Sequence, residues 1–529
     1  MLGLYQVIPL AALLPTVALA SIGPVADLHI VNKNISPDGF SRDTVLAGGT
    51  FPGPLITANR GQSFSINVFD DLTDSTMDVA TSIHWHGLFQ HTTNWADGPA
   101  FVNQCPIIPG NSFRYTFSSA QQYGTYWYHS HLSAQYCDGL RGPLVIYDPL
   151  DPYKYLYDVD DESTVITLAD WYHYVSTNPP AGPPSPSSTL INGLGRYQGG
   201  PNSTLAVVGV TQGKRYRFRL VSMSCDSNFV FSIDQHKMTI IEVDGNNVNP
   251  LIVDSVQVFA GQRYSIVVNA NQKVDNYWIR AAPNTVPPGF DNARNSAIFR
   301  YKGAPTVDPT TPLVASTQPM VETNLHAREN PSAPGKPVPG GADINYTLDV
   351  TFNGTAGLFE VNGTSFSPPT VPVLLQILSG AKKVTDLLPK GSIYELAPYK
   401  SVELVIPGGA IGGGHPVHLH GHSFSVVRSA GNSSYNYANP VRRDVVNIGT
   451  SSSDQTTIRF YTDNPGPWFL HCHIDWHLTA GFAAVFAEDI QDTPLVNPTP
   501  AAWKDLCPDY NNANAQVKVN TLPKKLQNP

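Results

Sequence analysis

Short stretches of this chain alternate apolar and polar residues, and each stretch opens on a glycine. In Gly61-Gln62-Ser63-Phe64-Ser65-Ile66-Asn67-Val68, three apolar side chains fall on one face and polar ones on the other. That period of two predicts a half-buried β-strand leaving a turn. Gly110-Asn111-Ser112-Phe113-Arg114-Tyr115-Thr116-Phe117 repeats the pattern 49 positions later, and residues 213–220 and 261–268 repeat it again, 48 apart. Two neighbouring blocks therefore share one β plan. Short strands between Gly/Pro turns predict an all-β protein built from consecutive β-sandwiches.

A third block announces itself through histidines. His84-Trp85-His86-Gly87 matches His418-Leu419-His420-Gly421, and Gly124-Thr125-Tyr126-Trp127-Tyr128-His129-Ser130-His131 matches Gly466-Pro467-Trp468-Phe469-Leu470-His471-Cys472-His473. The middle block has Tyr277-Trp278-Ile279-Arg280 at the corresponding place, with arginine where a histidine would stand. The first and third blocks thus read as metal-bearing copies and the second as a metal-free one. The predicted divisions are a leader over 1–20 and sandwich domains over 21–150, 151–320 and 321–529. Residues 304–339 are proline-rich and are expected to run as a connection across the surface rather than as a disordered linker.

Composition narrows the classes. Of 529 residues, 32 are Lys or Arg and 41 Asp or Glu, a net charge of −9 with no long basic run, which argues against nucleic acid as a partner. Residues 1–20 carry no charge, hold an apolar run and end in Ala18-Leu19-Ala20, so they read as a secretory signal peptide. No later stretch has membrane-spanning length, and the expectation is a secreted, extracellular monomer that binds no membrane. Sequons at Asn202, Asn345, Asn353, Asn362 and Asn432 fit surface glycosylation. The five cysteines are an odd count. Cys472, between two histidines, is assigned to metal, and Cys105, Cys137, Cys225 and Cys507 allow three pairings.

On a strand, residues i and i+2 share a face, so each His-x-His sets two imidazoles side by side. Four such pairs occur: His84/His86, His129/His131, His418/His420 and His471/His473. Cys472 faces away from its flanking histidines, with His477 downstream and His415 just before the His418/His420 pair. One thiolate with two imidazoles is the blue-copper ligand set. Zinc also accepts Cys and His, but its sites favour paired Cys in closed tetrahedra, and zinc gives the His471-Cys472-His473 bridge no redox purpose.

With these motifs the chain resembles the blue multicopper oxidases, and within them the secreted fungal laccases, over essentially the whole mature length. The resemblance implies three cupredoxin-like Greek-key β-sandwich domains and four copper ions. By motif position, His415, Cys472 and His477 would hold a type 1 copper, with Phe482 as a non-ligating axial residue and therefore a high reduction potential. His84 and His418 would hold a type 2 copper. His86, His129, His131, His420, His471 and His473 would hold a type 3 pair. The activity implied is one-electron oxidation of phenolic and related aromatic donors coupled to four-electron reduction of dioxygen to water. Electrons would enter through His477 and Cys472, Asp226 would take the phenolic proton with ordinary carboxylate acidity, and Asp97 would deliver protons near the cluster. Asp475 could orient a ligand imidazole. The implied disulfides are Cys105–Cys507 and Cys137–Cys225. The competing readings are an oxidase of a metal ion such as Fe(II) and a non-catalytic copper-binding protein.

Overall fold

The computed structural model describes residues 21–285 and 288–519, so the expected leader lies outside the described residues. In the first block, Arg42–Ala47, Val25–Ile35, Ser63–Asp71 and Ser112–Ser118 make a four-stranded sheet. Ser21–Ile22, Leu55–Asn59, Arg141–Tyr147, Gly124–Ser130 and Ile83–His86 make a five-stranded one. The alternation seen in the sequence is cashed as cross-strand pairs: Phe64 opposes Phe117, Ile66 opposes Tyr115 and Val68 opposes Phe113, all buried. The middle block pairs a seven-stranded with a five-stranded sheet, and the third pairs two five-stranded sheets beside the hairpin Val350–Asn353/Leu358–Val361.

One register recurs in all three blocks. His84 opposes His129 in the first, His418 opposes His471 in the third, and Ser232 opposes Arg280 in the second. The middle block therefore has the strands of a metal site without its ligands. Arg280 instead forms a two-pronged ion pair with Asp234, at 2.8 Å on each prong.

Residues 304–339 run over the surface on specific hydrogen bonds, as expected of an ordered connection. The Asp254 amide donates to Gln318 O at 2.9 Å, and the buried Arg459 guanidinium donates to the carbonyls of Pro334, Lys336 and Val338. The helix Ala501–Asn512 was not foreseen by the strand pattern. Its Trp503, Leu506, Cys507 and Tyr510 stand at i, i+3, i+4 and i+7 and pack into the core of the first sandwich. Both implied disulfides are present: Cys105–Cys507 staples this helix to the first sandwich, and Cys137–Cys225 joins the first to the second.

Asp70, one residue before the end of the strand Ser63–Asp71, is fully buried. One carboxyl oxygen accepts the Leu72 amide at 3.0 Å, the other has no partner among the described residues, and burial pushes the group up to about 8. An unfolded aspartate titrates near pH 4, so the folded state binds the proton more tightly. The associated stability is fully present below about pH 4 and is lost as pH rises towards about 8. Asp70→Asn is expected to stabilise the protein by a few kcal/mol at pH 8 and hardly at all at pH 4; melting curves with equal shifts at the two pH values would contradict this.

Candidate metal centre

The paired strands Ile83–His86/Gly124–Ser130 and Pro416–Leu419/Gly466–Cys472 bring eight histidines to one place. His84, His86, His129 and His131 come from the first sandwich, and His418, His420, His471 and His473 from the third or its strand ends. All are buried. The His131, His420 and His471 rings lie together, with His420 Nε2 3.1 Å and His131 Nε2 3.4 Å from His471 Nε2. His86 Nδ1 stands 3.2 Å from His473 Nε2, and His84 and His129 complete a neighbouring group.

The hydrogen bonds fix the tautomers. Nδ1 of His84, His129, His418 and His471 faces the carbonyl oxygens of Asp97, Ser130, Asp444 and Cys472 at 2.7–2.8 Å, and Nδ1 of His420 faces an Asp97 carboxyl oxygen at 2.8 Å. Each of these nitrogens must donate, which leaves an unprotonated Nε2. Among the described residues, Nε2 of His84, His129 and His418 has no hydrogen-bond partner. Facing Nε2 lone pairs cannot bond one another, so the donor set fits cations. Burial and mutual repulsion hold His86, His129, His131, His418, His420 and His473 well below the usual imidazole range, and burial puts His471 at about 3. These rings stay neutral, as metal binding needs.

A second group lies on the other face of the same strand. Cys472 Sγ is 3.7 Å from His415 Nδ1 and 3.6 Å from His477 Nδ1, and those nitrogens are 3.1 Å apart. Burial lowers His415 to about 4, and burial together with His415 lowers His477. Burial, with Asp226 and Asp475 nearby, pushes the Cys472 thiol up, so its thiolate requires a cation alongside. His415 and Cys472 are wholly enclosed, whereas His477 keeps 7 % of its surface exposed. The Phe482 ring packs 5.4 Å from the His415 ring and offers no donor atom.

Asp226 departs from expectation. The sequence assigned it ordinary acidity, but burial and the neighbouring Asp170 push its carboxyl up to about 7. Asp170 shapes that loop by accepting the amides of Cys225, Asp226 and Ser227 at 2.8–3.0 Å. Asp97 is fully buried and anchors His420 and His84. The Asp475 amide donates to Cys225 O at 2.9 Å, which ties the helix Asp475–Thr479 to the Asp226 loop.

Sequence reasoning missed Asp444 and Arg263. Asp444 Oδ1 lies 3.2 Å from His86 Nε2, and Arg263 clamps both Asp444 oxygens at 2.6 and 2.7 Å. No local pattern marks either residue. Tyr136, also missed, donates to His473 O at 3.1 Å.

Three multicopper oxidase family models match residues 29–151, 162–304 and 366–492. The chain belongs to the multicopper oxidases, and copper is the cofactor that this family and these His/Cys groups imply. It is 61 % identical over 503 residues to a laccase of Phlebia radiata, covering 94 % of this chain and 96 % of that one. Among solved structures, a laccase from Botrytis aclada matches with a TM-score of 0.79 and 31 % identity, over 94 % of this chain and 93 % of that one. Fet3p, a multicopper oxidase that functions in iron import, matches with 0.80 and 28 %, over 93 % and 96 %. No helix among the described residues is long and apolar enough to cross a membrane.

Proposed function

We propose that the protein is a secreted, monomeric laccase that oxidises small phenolic and related aromatic donors one electron at a time and reduces dioxygen to water. The observation that carries this reading is the His471-Cys472-His473 strand, whose cysteine belongs to one buried donor group and whose flanking histidines belong to another. Copper, when bound, supplies one-electron acceptance at the first group and four-electron reduction of dioxygen at the second. His415, Cys472 and His477 are the type 1 ligands, with Phe482 beside them. His84 and His418 serve type 2. His131, His420 and His471, with His86, His129 and His473, serve the type 3 pair.

The chain's own residues divide the rest of the work. His477 presents the exposed edge of the first group to the donor. Asp226 accepts the phenolic proton, and Asp170 holds its loop. Asp97 orients His420 and His84 and serves proton delivery at the cluster. The domain divisions at 150 and 320 and glycans at the sequons belong to the same reading. Asn202, Asn345, Asn353 and Asn362 are exposed and Asn432 is half-buried.

Asp226 must be ionised to act as a base, and its acidity near 7 sets the sign of the pH effect. The ratio of phenol oxidation to oxidation of a donor that loses no proton is expected to rise with pH through about 7. Asp226→Asn should lower phenol turnover by about a hundredfold, spare the proton-free donor and flatten that ratio. Equal slowing of both donors would remove Asp226 from the role.

The reading as a whole is tested by metal content per chain, optical and EPR spectra, and oxygen uptake with a methoxyphenol beside Fe(II). Four coppers, absorbance at roughly 600 nm and preference for the phenol are expected. Faster Fe(II) oxidation would shift the reading to a metal-ion oxidase, and a colourless zinc protein that still oxidises phenols would end it.

A further inference from the structure

Four glycines open the repeated strands noted in the sequence, and all four have nearly the same left-handed backbone, with φ of +82° at Gly61, +83° at Gly110, +85° at Gly213 and +84° at Gly261. Their surroundings differ. Among the described residues, a Cβ at Gly110 or Gly213 would meet nothing within 4 Å, and one at Gly61 only a carbonyl at 4.0 Å. At Gly261 it would lie 2.9 Å from His473 Cδ2 and 3.2 Å from His86 Cε1. These two rings come from different sandwiches, and their facing nitrogens are 3.2 Å apart. The turn is also tied down at its next two residues. Gln262 Nε2 donates to Val445 O at 3.1 Å, and Arg263 donates to Gly261 O at 3.0 Å while it clamps Asp444. Asp444 in turn faces His86 Nε2.

We infer that the turn 259–263 of the metal-free middle sandwich is a third wall of the histidine cluster, with Gly261 as the positioning residue that keeps His86 and His473 at their mutual distance. The inference rests on the ligand assignment proposed above. A repeat turn that elsewhere faces open space has here been brought against two imidazoles, and only a residue without a Cβ fits both the backbone angle and the gap. The middle sandwich thus completes the cluster without supplying a ligand.

The test compares holoenzymes carrying Gly261→Ala and Gly213→Ala. Both place alanine at the same strained φ, so the cost of the backbone angle is matched, and only the first pushes on the rings. Expected for Gly261→Ala alone is a 10–100-fold weaker hold on copper against a chelator, with altered type 2 and type 3 signals in EPR and near-ultraviolet spectra. The band near 600 nm should persist in both variants. Should Gly261→Ala behave as Gly213→Ala does in copper retention and spectra, the inference falls. If Gly261→Ala does not fold, Gln262→Ala carries the test, because it frees the turn without adding bulk. Weakened copper retention supports the inference, and unchanged retention overturns it. Wild-type protein run alongside separates the two levels: if it lacks the trinuclear signals the ligand assignment has failed, and if it shows them the variants judge the turn alone.

Discussion

Cys472→Ser is expected to abolish absorbance near 600 nm and to cut phenol oxidation at least about a thousandfold, or ~4 kcal/mol of barrier. Cys472 is the one cysteine outside a disulfide, fully buried, with its sulfur 3.6–3.7 Å from both neighbouring imidazole nitrogens. A serine hydroxyl does not ionise there and is a harder donor, so the first group would lose the soft ligand that suits it to one-electron traffic. The eight-histidine group should still take up metal, because none of its nitrogens is touched. Metal analysis, visible spectra and turnover on the purified variant check this together. A variant that stays blue, or that keeps most of its phenol turnover, would show that electrons enter elsewhere.

Arg263→Ala should destabilise the protein by about 3–5 kcal/mol at neutral pH, the usual penalty for breaking a buried ion pair from one side. Arg263 is fully enclosed, clamps Asp444 and donates its amide to Asp244 at 2.7 Å. Removing it takes away both prongs that hold the Asp444 carboxylate and leaves Arg443 as the remaining nearby positive charge. Burial already pushes Asp444 up to about 6 with the arginine in place. Below that pH the group gains a proton and carries no charge, so the penalty should shrink as pH falls. Denaturation at pH 7 and pH 5 is the check: a loss of stability under 1 kcal/mol, or one that grows on acidification, would contradict the account.

The two effects differ in how visible their residues are in the chain. Cys472 sits inside a motif whose spacing alone gives its face and its neighbours. Arg263 shows nothing in its vicinity but a strand that repeats three others, and its partner is 181 positions away. The helix Ala501–Asn512 lies between these cases. Its apolar spacing is helical, but its reason for existing is the first sandwich, to which Cys105 binds it. Arg280 was legible as a missing histidine, while its pairing with Asp234 needed the sheet.

Strand periodicity, the four His-x-His pairs, the lone cysteine and the duplicated motifs are properties of neighbouring positions. They set the β-sandwich repeats and named the eight histidines of the larger group, while His415 and His477 were marked by their places near these motifs and by the family resemblance. Only the tertiary structure decided which ring nitrogens carry protons, since that depends on how each ring is turned: towards the next residue's carbonyl at His129 and His471, and towards Asp97 or Asp444 at His84, His418 and His420. It alone raised Asp226 to about 7 through desolvation and Asp170, and it alone set Asp444 and Gly261 against His86. Dielectric surroundings and contacts across hundreds of positions arise when the sandwiches pack, and no local pattern encodes them.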